Sequence, residues 1–424
     1  MPLRGTLTVP GDKSITHRAI ILSALADGEA TITNYCPGED CLHTAAAFQA
    51  MGVPIEIAAD RLRVAGKGLW GLREPDSIVD CGNSGTGIRL LAGVLAGQDF
   101  FSVLTGDASI RRRPMGRVVG PLREMGAVIA GRRGGELAPL AIAGARLRGI
   151  AYSSPIASAQ VKSSVLLAGL FAEGTTSVTE PALSRDHTER LFDYLGIPVT
   201  RNGLTVSLTG QRAFAAKDIT VAGDLSAAAF FLVAASLVSE SDVTITGVGV
   251  NPTRTGVLEV LQEMGARIEL LNPRVQAGEP VADLRVRSAP LRGVTIGPAR
   301  MPRTIDEFPI LCVAAACAQG ETIVSGAEEL RVKESDRIAT MATELRRLGA
   351  AVEERPDGLR IMGGRPLKGA VCQSHGDHRV AMAMMVAGLV AQGEMRVEDT
   401  ACVATSFPGF DKRLRGLLTP SGQG

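Results

Sequence analysis

In the stretch Gly11-Asp12-Lys13-Ser14-Ile15-Thr16-His17-Arg18, an ammonium, a hydroxyl and a guanidinium fall close together. The alternating run Leu7-Thr8-Val9 before it predicts a strand, and Pro10-Gly11 breaks that strand. From Ala19 onward Ile20, Ile21, Leu22 and Leu25 recur at helical spacing. Lys13 and Ser14 therefore belong to the first turn of a helix, where unpaired N–H groups and the positive end of the dipole attract a phosphate or carboxylate. The same residues also suit an ordinary capped surface helix, since Ser and Thr cap helices routinely. Alone, the stretch does not choose.

Similar clusters recur along the chain. Gly82-Asn83-Ser84-Gly85-Thr86-Gly87-Ile88-Arg89, Ser158-Ala159-Gln160, Asp306-Glu307 and Asp377-His378-Arg379 open further apolar segments. Arg111-Arg112-Arg113-Pro114, Ser184-Arg185-Asp186-His187 and Lys333-Glu334-Ser335-Asp336-Arg337 open amphipathic ones. The Gly-rich run is neither G-x-G-x-x-G nor a Walker loop, so it does not specify a nucleotide. If these helix starts converge on one cleft, they bring Lys13, Arg18, Arg113, Arg185, Lys333, Arg337 and Arg379 to a strongly anionic ligand or pair of ligands. Asp306 and Glu334 lie among these cations and are the candidate acid–base groups. The chain has no H-E-x-x-H and no G-x-S-x-G, and its five His are dispersed, so no metal site is expected. His17 and His378 are expected to orient or cap.

The elements that must position these residues follow a repeat. A very apolar helix-like segment, a turn and a short β-rich run recur six times, at residues 17–33, 86–105, 159–179, 226–246, 307–325 and 379–397. Between them lie striped segments closed by Met or Leu, then Gly, at Gly52, Gly126, Gly196, Gly265 and Gly349, 69 to 84 residues apart. Glycine there suits a helix C-terminus. A degenerate sixth copy is read at Arg413-Leu414-Arg415-Gly416. Helices apolar all round must be buried on every side, and six of them cannot share one centre. Two domains of three units each are expected, one spanning 13–223 and the other 1–12 plus 224–424, with the cleft between them closing on its ligand.

Composition bounds the rest. The 424 residues suit two or three domains, and only 4% are aromatic, so the interior is built from Ala, Val, Leu, Ile and Met. A net charge of +1 argues against a nucleic-acid or membrane-surface binder. The seven scattered cysteines include no C-x-x-C and read as core thiols of a reduced compartment. The start of the sequence lacks the apolar core of a secretory signal, and runs such as 225–238 fall short of the roughly 20 residues that span a bilayer. A soluble cytoplasmic protein, monomeric and with a tail at 419–424 that is Gly-rich and frayed, is expected.

Taken together, the motifs resemble the 5-enolpyruvylshikimate-3-phosphate synthase family over essentially the whole chain. The specific elements are Gly11-Asp12-Lys13-Ser14 with Arg18, Gly82-Asn83-Ser84-Gly85-Thr86, Arg113-Pro114-Met115-Gly116, Ser158-Ala159-Gln160-Val161-Lys162, Asn251-Pro252-Thr253-Arg254, Arg331 through Arg337, and Asp377-His378-Arg379. Ser184-Arg185-Asp186-His187-Thr188-Glu189 and Thr405-Ser406-Phe407-Pro408 are similar to the bacterial branch called class II. The resemblance implies an α/β (α+β) fold of two similar domains, each of three βαβαββ units with the apolar helices inside. It also implies transfer of the enolpyruvyl group of phosphoenolpyruvate to the 5-hydroxyl of shikimate 3-phosphate by addition and elimination, without metal or organic cofactor.

By the same resemblance, Lys13, Ser14, Arg18, Ser158, Ala159 through its backbone, Gln160, Arg185, Asp306 and Lys333 would hold shikimate 3-phosphate. Lys13, Gly85, Arg113, Gln160, Arg337 and Arg379 would hold phosphoenolpyruvate. Asp306 would act as base toward the hydroxyl, with Glu334 and Lys13 handling protons at the enolpyruvyl carbon. Gly85 would leave room at the phosphoenolpyruvate site and so confer sensitivity to the competing inhibitor glyphosate. Many members carry a Lys before Phe-Pro in the C-terminal loop, where this chain has Thr405-Ser406. The related UDP-N-acetylglucosamine enolpyruvyl transferases have Lys-Asn in place of Lys13-Ser14 and a reactive Cys before Arg-Pro, and residues 106–112 contain none. A non-catalytic phosphometabolite-binding protein is the other alternative, disfavoured because carboxylates beside the cations weaken pure anion binding.

Overall fold

A helix that is apolar all round has no face to offer water, and this chain folds around six of them. The computed structural model describes residues 1–418, so the tail at 419–424 lies outside the described residues. Apolar and striped helices alternate as pairs: α1 (Lys13–Leu25) with α2 (Glu39–Ala50), α3 (Gly85–Ala96) with α4 (Gly116–Glu124), and α5 (Ala159–Gly169) with α6 (His187–Leu195). α7 (Leu225–Leu237) pairs with α8 (Gly256–Glu263); after the single turn α9 (Met301–Thr304) come α10 (Phe308–Cys317) with α11 (Arg337–Arg347), then α12 (His378–Ala387) with α13 (Phe410–Gly416). Every residue of α7 except Leu237 is buried, and every residue of α10 except Cys317. No helix among the described residues is long and apolar enough to cross a membrane.

The strands complete the expected βαβαββ unit. In the second copy Val79–Asp80 runs parallel to Phe101–Thr105, which pairs antiparallel with Leu137–Ala143, which pairs antiparallel with Val128–Arg132. Five four-stranded sheets share this order, and the sixth is reduced to Val371–Gln373 beside Arg396–Glu398. Two sheets borrow an edge from far along the chain. Ile219–Thr220 lies parallel to Asp27–Thr33, and Arg4–Thr8 lies parallel to Asp242–Gly249.

The chain divides into two compact units, one formed by Met1–Pro10, Ala222–Val275 and the chain from Pro280 onward, the other by Gly11–Val221 with Gln276–Glu279. It therefore passes between units at Pro10-Gly11 and Val221-Ala222, and makes a short excursion at 276–279 that no sequence signal marks.

Gly52, Gly126, Gly196, Gly265 and Gly349 all take φ between +81° and +105°, as a helix C-terminus requires. The copy read at Gly416 is corrected. Gly416 is the last residue of α13 and does not take the left-handed conformation, because the helix runs through it and is capped by Leu417 in right-handed geometry.

Each unit packs its three apolar helices with small residues. In the first unit α7, α10 and α12 share one core, and the ring cluster Phe230, Phe231, Phe407 and Phe410, with centroids 5.3–6.0 Å apart, ties α7 to α13 and the segment before it. In the second, α3 and α5 touch at Gly93, where a Cβ would sit 2.2 Å from the Ser164 carbonyl oxygen. The Ser164 hydroxyl donates to the Arg89 carbonyl at 2.8 Å, so the two backbones are also hydrogen-bonded through a side chain. Gly93→Ala is accordingly expected to force the helices apart and to cost about 1–3 kcal/mol. An unchanged midpoint in chemical denaturation would show that the crossing has slack.

Candidate active site

Each buried helix start must find partners for its leading N–H groups. In the unit containing Gly11–Val221, Asp12 caps α1 by accepting from the Ile15 N–H at 2.9 Å, Ser84 caps α3 by accepting from Gly87, and Ser158 caps α5 by accepting from Val161. Lys13 and Ser14 thus occupy the first turn of α1 as expected. The Lys13 ammonium pairs with Asp40 Oδ2 at 2.8 Å, a carboxylate from the first turn of α2.

His17 links three of these helices. Its Nδ1 lies 2.7 Å from the Thr44 hydroxyl and its Nε2 3.2 Å from the Ser84 hydroxyl. The hydrogen bonds are satisfied by a neutral ring whose Nδ1–H donates to Thr44, while Ser84 donates to Nε2. Burial, with Lys13 and Arg18 nearby, holds the His17 pKa well below its usual range. His17 therefore orients the start of α3, in line with the role expected of it.

Arg18 is buried and donates from all three of its guanidinium nitrogens. Its Nε donates to Thr188 at 2.7 Å, Nη2 to Ser163 at 2.6 Å and Nη1 to the Ser14 carbonyl at 2.8 Å, tying α1 to α5 and α6. Burial brings its pKa down to about 10, so it stays cationic at neutral pH.

A second cluster surrounds Gly85. A Cβ there would lie 2.8 Å from Arg113 Nη1 and 3.0 Å from Arg89 Nη1, so the missing side chain is what lets two guanidinium groups approach the helix start. Arg89 donates to Gln160 Oε1 at 2.6 Å and to the Pro114 carbonyl at 3.0 Å, while Gln160 Nε2 donates to Thr86 at 3.0 Å. Gly85, Arg113 and Gln160 are therefore brought together, along with Arg89, which ends the Gly-rich run but was not among the seven cations expected at the site. Its signal was its place one turn after Gly85.

Ser158 and Arg185 flank a buried charge group. Lys162 lies 2.8 Å from both Glu180 and Glu189, all three side chains at most 3% exposed. Burial lowers the Lys162 pKa, but the two carboxylates outweigh it and raise it overall.

The other unit carries the remaining candidates. Asp224 caps α7 by accepting from Ser226, and Asp377 caps α12 by accepting from Arg379 at 2.9 Å. Arg337, its side chain 1% exposed, donates from Nε to Asp377 at 2.8 Å and from Nη2 to Glu334 at 2.7 Å, and its Nη1 lies 3.9 Å from Asp306 Oδ1. Burial lowers the pKa of Arg337 and these carboxylates more than restore it, so it is raised; Asp377 is lowered by the same pairing despite its burial. Arg379 Nη1 donates to the Asp306 carbonyl at 2.9 Å, and Arg254 Nη1 reaches Asp306 Oδ2 at 3.5 Å. Burial pulls the Lys333 pKa down, against Glu329, Asp306 and Glu334, which raise it. Neighbouring Glu307 is buried, with its pKa raised by desolvation, and accepts from the Ser226 hydroxyl.

Of the seven cations, Lys13, Arg18, Arg113 and Arg185 belong to one unit and Lys333, Arg337 and Arg379 to the other. Asp40, Asp377 and Arg254 had no assigned role in the sequence reading, because a charge partner far along the chain leaves no local pattern. Among the described residues, no group of three or more His, Cys, Asp or Glu side chains is arranged to hold a metal ion.

Comparison with known proteins gives a consistent result. The family described as EPSP synthase (3-phosphoshikimate 1-carboxyvinyltransferase) matches residues 1–414. The 3-phosphoshikimate 1-carboxyvinyltransferase of Geotalea uraniireducens is 54% identical, covering 99% of this chain and 97% of that protein. That of Pelotomaculum thermopropionicum is 57% identical over 98% of this chain and 97% of its own length. The structure of EPSP synthase from Acinetobacter baumannii superposes with a TM-score of 0.88 at 46% identity, covering 98% of this chain and 95% of that one.

The buried neutral His17 has a measurable consequence. Its folded pKa lies below its unfolded value of about 6.5, so the unfolded chain takes up a proton that the folded chain refuses. The stability it contributes is complete above about pH 6.5 and declines below it by up to about 1.4 kcal/mol per pH unit. Denaturation midpoints followed from pH 7.5 to 5 should fall less steeply for His17→Asn than for the parent; equal slopes would mean that His17 does not resist protonation.

Proposed function

The chain belongs to the EPSP synthase (3-phosphoshikimate 1-carboxyvinyltransferase) family, whose reaction transfers the enolpyruvyl group of phosphoenolpyruvate to shikimate 3-phosphate, and we propose that it does so with the side chains described above. The observation that carries this reading is that Asp306 and Glu334, two carboxylates from different segments, are brought to one guanidinium, Arg337, at 3.9 and 2.7 Å. Pure anion capture has no use for carboxylates there, whereas proton transfer does.

In this reading, Lys13, Ser14, Arg18, Ser158, Gln160, Arg185, Asp306 and Lys333 bind shikimate 3-phosphate, with the Ala159 backbone. Lys13, Gly85, Arg113, Gln160, Arg337 and Arg379 bind phosphoenolpyruvate. The 5-hydroxyl attacks C2 as Asp306 accepts its proton, and C3 gains a proton from the pair Glu334 and Lys13. In the tetrahedral adduct the bond from C2 to the phosphate oxygen then breaks and phosphate leaves, C3 returns a proton to the pair Glu334 and Lys13, and the carbon–carbon double bond is restored. Arg113 and Arg379 balance the carboxylate and phosphate charge throughout. Arg337 and Arg18 donate mainly to protein acceptors, so much of their contribution is to hold Glu334 and α1 in place.

Phosphate release from shikimate 3-phosphate plus phosphoenolpyruvate tests the reading. Lys13→Ala, Asp306→Asn and Glu334→Gln should each lower kcat by about 10²–10⁴. Tight binding of both substrates by the pure protein without phosphate release would instead make it a binding module.

Gly85 supplies a second test. Its replacement by Ala pushes a methyl group into the Arg113 and Arg89 guanidinium groups. Gly85→Ala is expected to raise KM for phosphoenolpyruvate and to weaken inhibition by glyphosate by a larger factor, while KM for shikimate 3-phosphate stays put. Inhibition unaltered by the substitution would remove Gly85 from the phosphoenolpyruvate site.

A further inference from the structure

The Glu180 carboxylate, at the end of the strand Thr175–Thr179, is 4% exposed and serves three partners. Its Oε1 accepts from the Ser158 N–H at 3.0 Å, and its Oε2 accepts from the Ser184 hydroxyl at 2.9 Å and faces the Lys162 ammonium at 2.8 Å. Ser158 opens α5, and Ser184 immediately precedes Arg185. On the far side of Arg185, Asp186 is held by Arg190 through two hydrogen bonds of 2.9 Å. Arg185 is therefore clamped at both neighbours. One end of that clamp and the start of α5 hang on a single buried carboxylate.

We infer that Glu180 is a positioning residue for shikimate 3-phosphate, setting the distance between the Ser158 and Arg185 anchors without touching the substrate. The inference rests on the proposed roles of Ser158 and Arg185. Lys162, shared with Glu189, is the cation that pairs with this buried carboxylate. Having an acceptor oxygen at each end is what permits one group to accept from a backbone N–H and a hydroxyl at once. Glutamine at this position keeps the shape but gives one of its two oxygens up for an NH₂, so it cannot satisfy Ser158, Ser184 and Lys162 together. Gln160, also on α5, is fixed independently by Arg89 and Thr86 of α3. Loss of the Glu180 contacts should therefore loosen one substrate and spare the other.

The test is steady-state kinetics with both substrates varied. Glu180→Gln should raise KM for shikimate 3-phosphate by about tenfold, the loss of one hydrogen bond to a charged group, with KM for phosphoenolpyruvate changed by less than about twofold. Ser184→Ala removes only the hydroxyl and leaves the Lys162 group intact. It should raise the same KM by about threefold, and Ser184→Thr should restore it. If Glu180→Gln fails to fold, the Ser184 pair carries the test alone. Equal rises in both KM values, or no change in either, would overturn the positioning role. Ser158→Ala and Arg185→Ala are measured in parallel: if they leave KM for shikimate 3-phosphate unaltered, the site reading itself falls, and the fault lies there rather than with Glu180.

Discussion

Buried helix starts impose the constraint on which this structure depends. A helix enclosed on every side still exposes unpaired N–H groups at its first turn, and inside a protein these need acceptors. The chain answers with Asp12, Ser84, Ser158, Asp224 and Asp377, one at the head of each of five apolar helices. Once acids and hydroxyls are stationed there, cations follow to neutralise them. Arg337 settles on Asp377, and Arg254 on Asp224. The polar clusters are thus an outgrowth of the way the apolar core is built.

Within those clusters, charges are held by one another more than by water. Asp377 is fully buried and would be costly alone, yet it accepts from Arg337, from Ser335 and from the Arg379 N–H. Glu307 solves the same problem differently, with its pKa raised and the Ser226 hydroxyl at hand. Such networks fix side chains before any ligand arrives, which is the preorganisation that electrostatic catalysis draws on. Gly85 is the complementary device: an absent atom that admits two guanidinium groups to one helix start.

Much of this was legible from the residues alone, for physical reasons. An all-apolar run has a single way to be stable, so the six helices and their order could be read. Glycines after the striped helices mark a backbone conformation few other residues tolerate, and the five that were singled out adopt it. Gly416 misled because the pattern falls inside the last turn of a helix, not just past its end. Long-range partners stayed hidden. Asp40 belongs to none of the polar clusters read from the sequence, yet it holds Lys13. Arg89 looked like a residue inside an apolar segment, yet it reaches Gln160. Periodicity reports which way a residue faces, and says nothing of what it will meet there.

The exchanged edge strands bear on how the chain is made. Arg4–Thr8 leaves the ribosome more than two hundred residues ahead of its neighbour, Asp242–Gly249. The opening strand must wait, unpaired, while more than half the chain is synthesised. Meanwhile the sheet around Asp27–Thr33 lacks its own edge until Ile219–Thr220 appears. Assembly is thereby ordered in time: the sheet of Asp242–Gly249 is completed by a strand made long before it. These two pairings have the long sequence separation that slows folding, and a waiting strand edge is open to wrong partners in the interval.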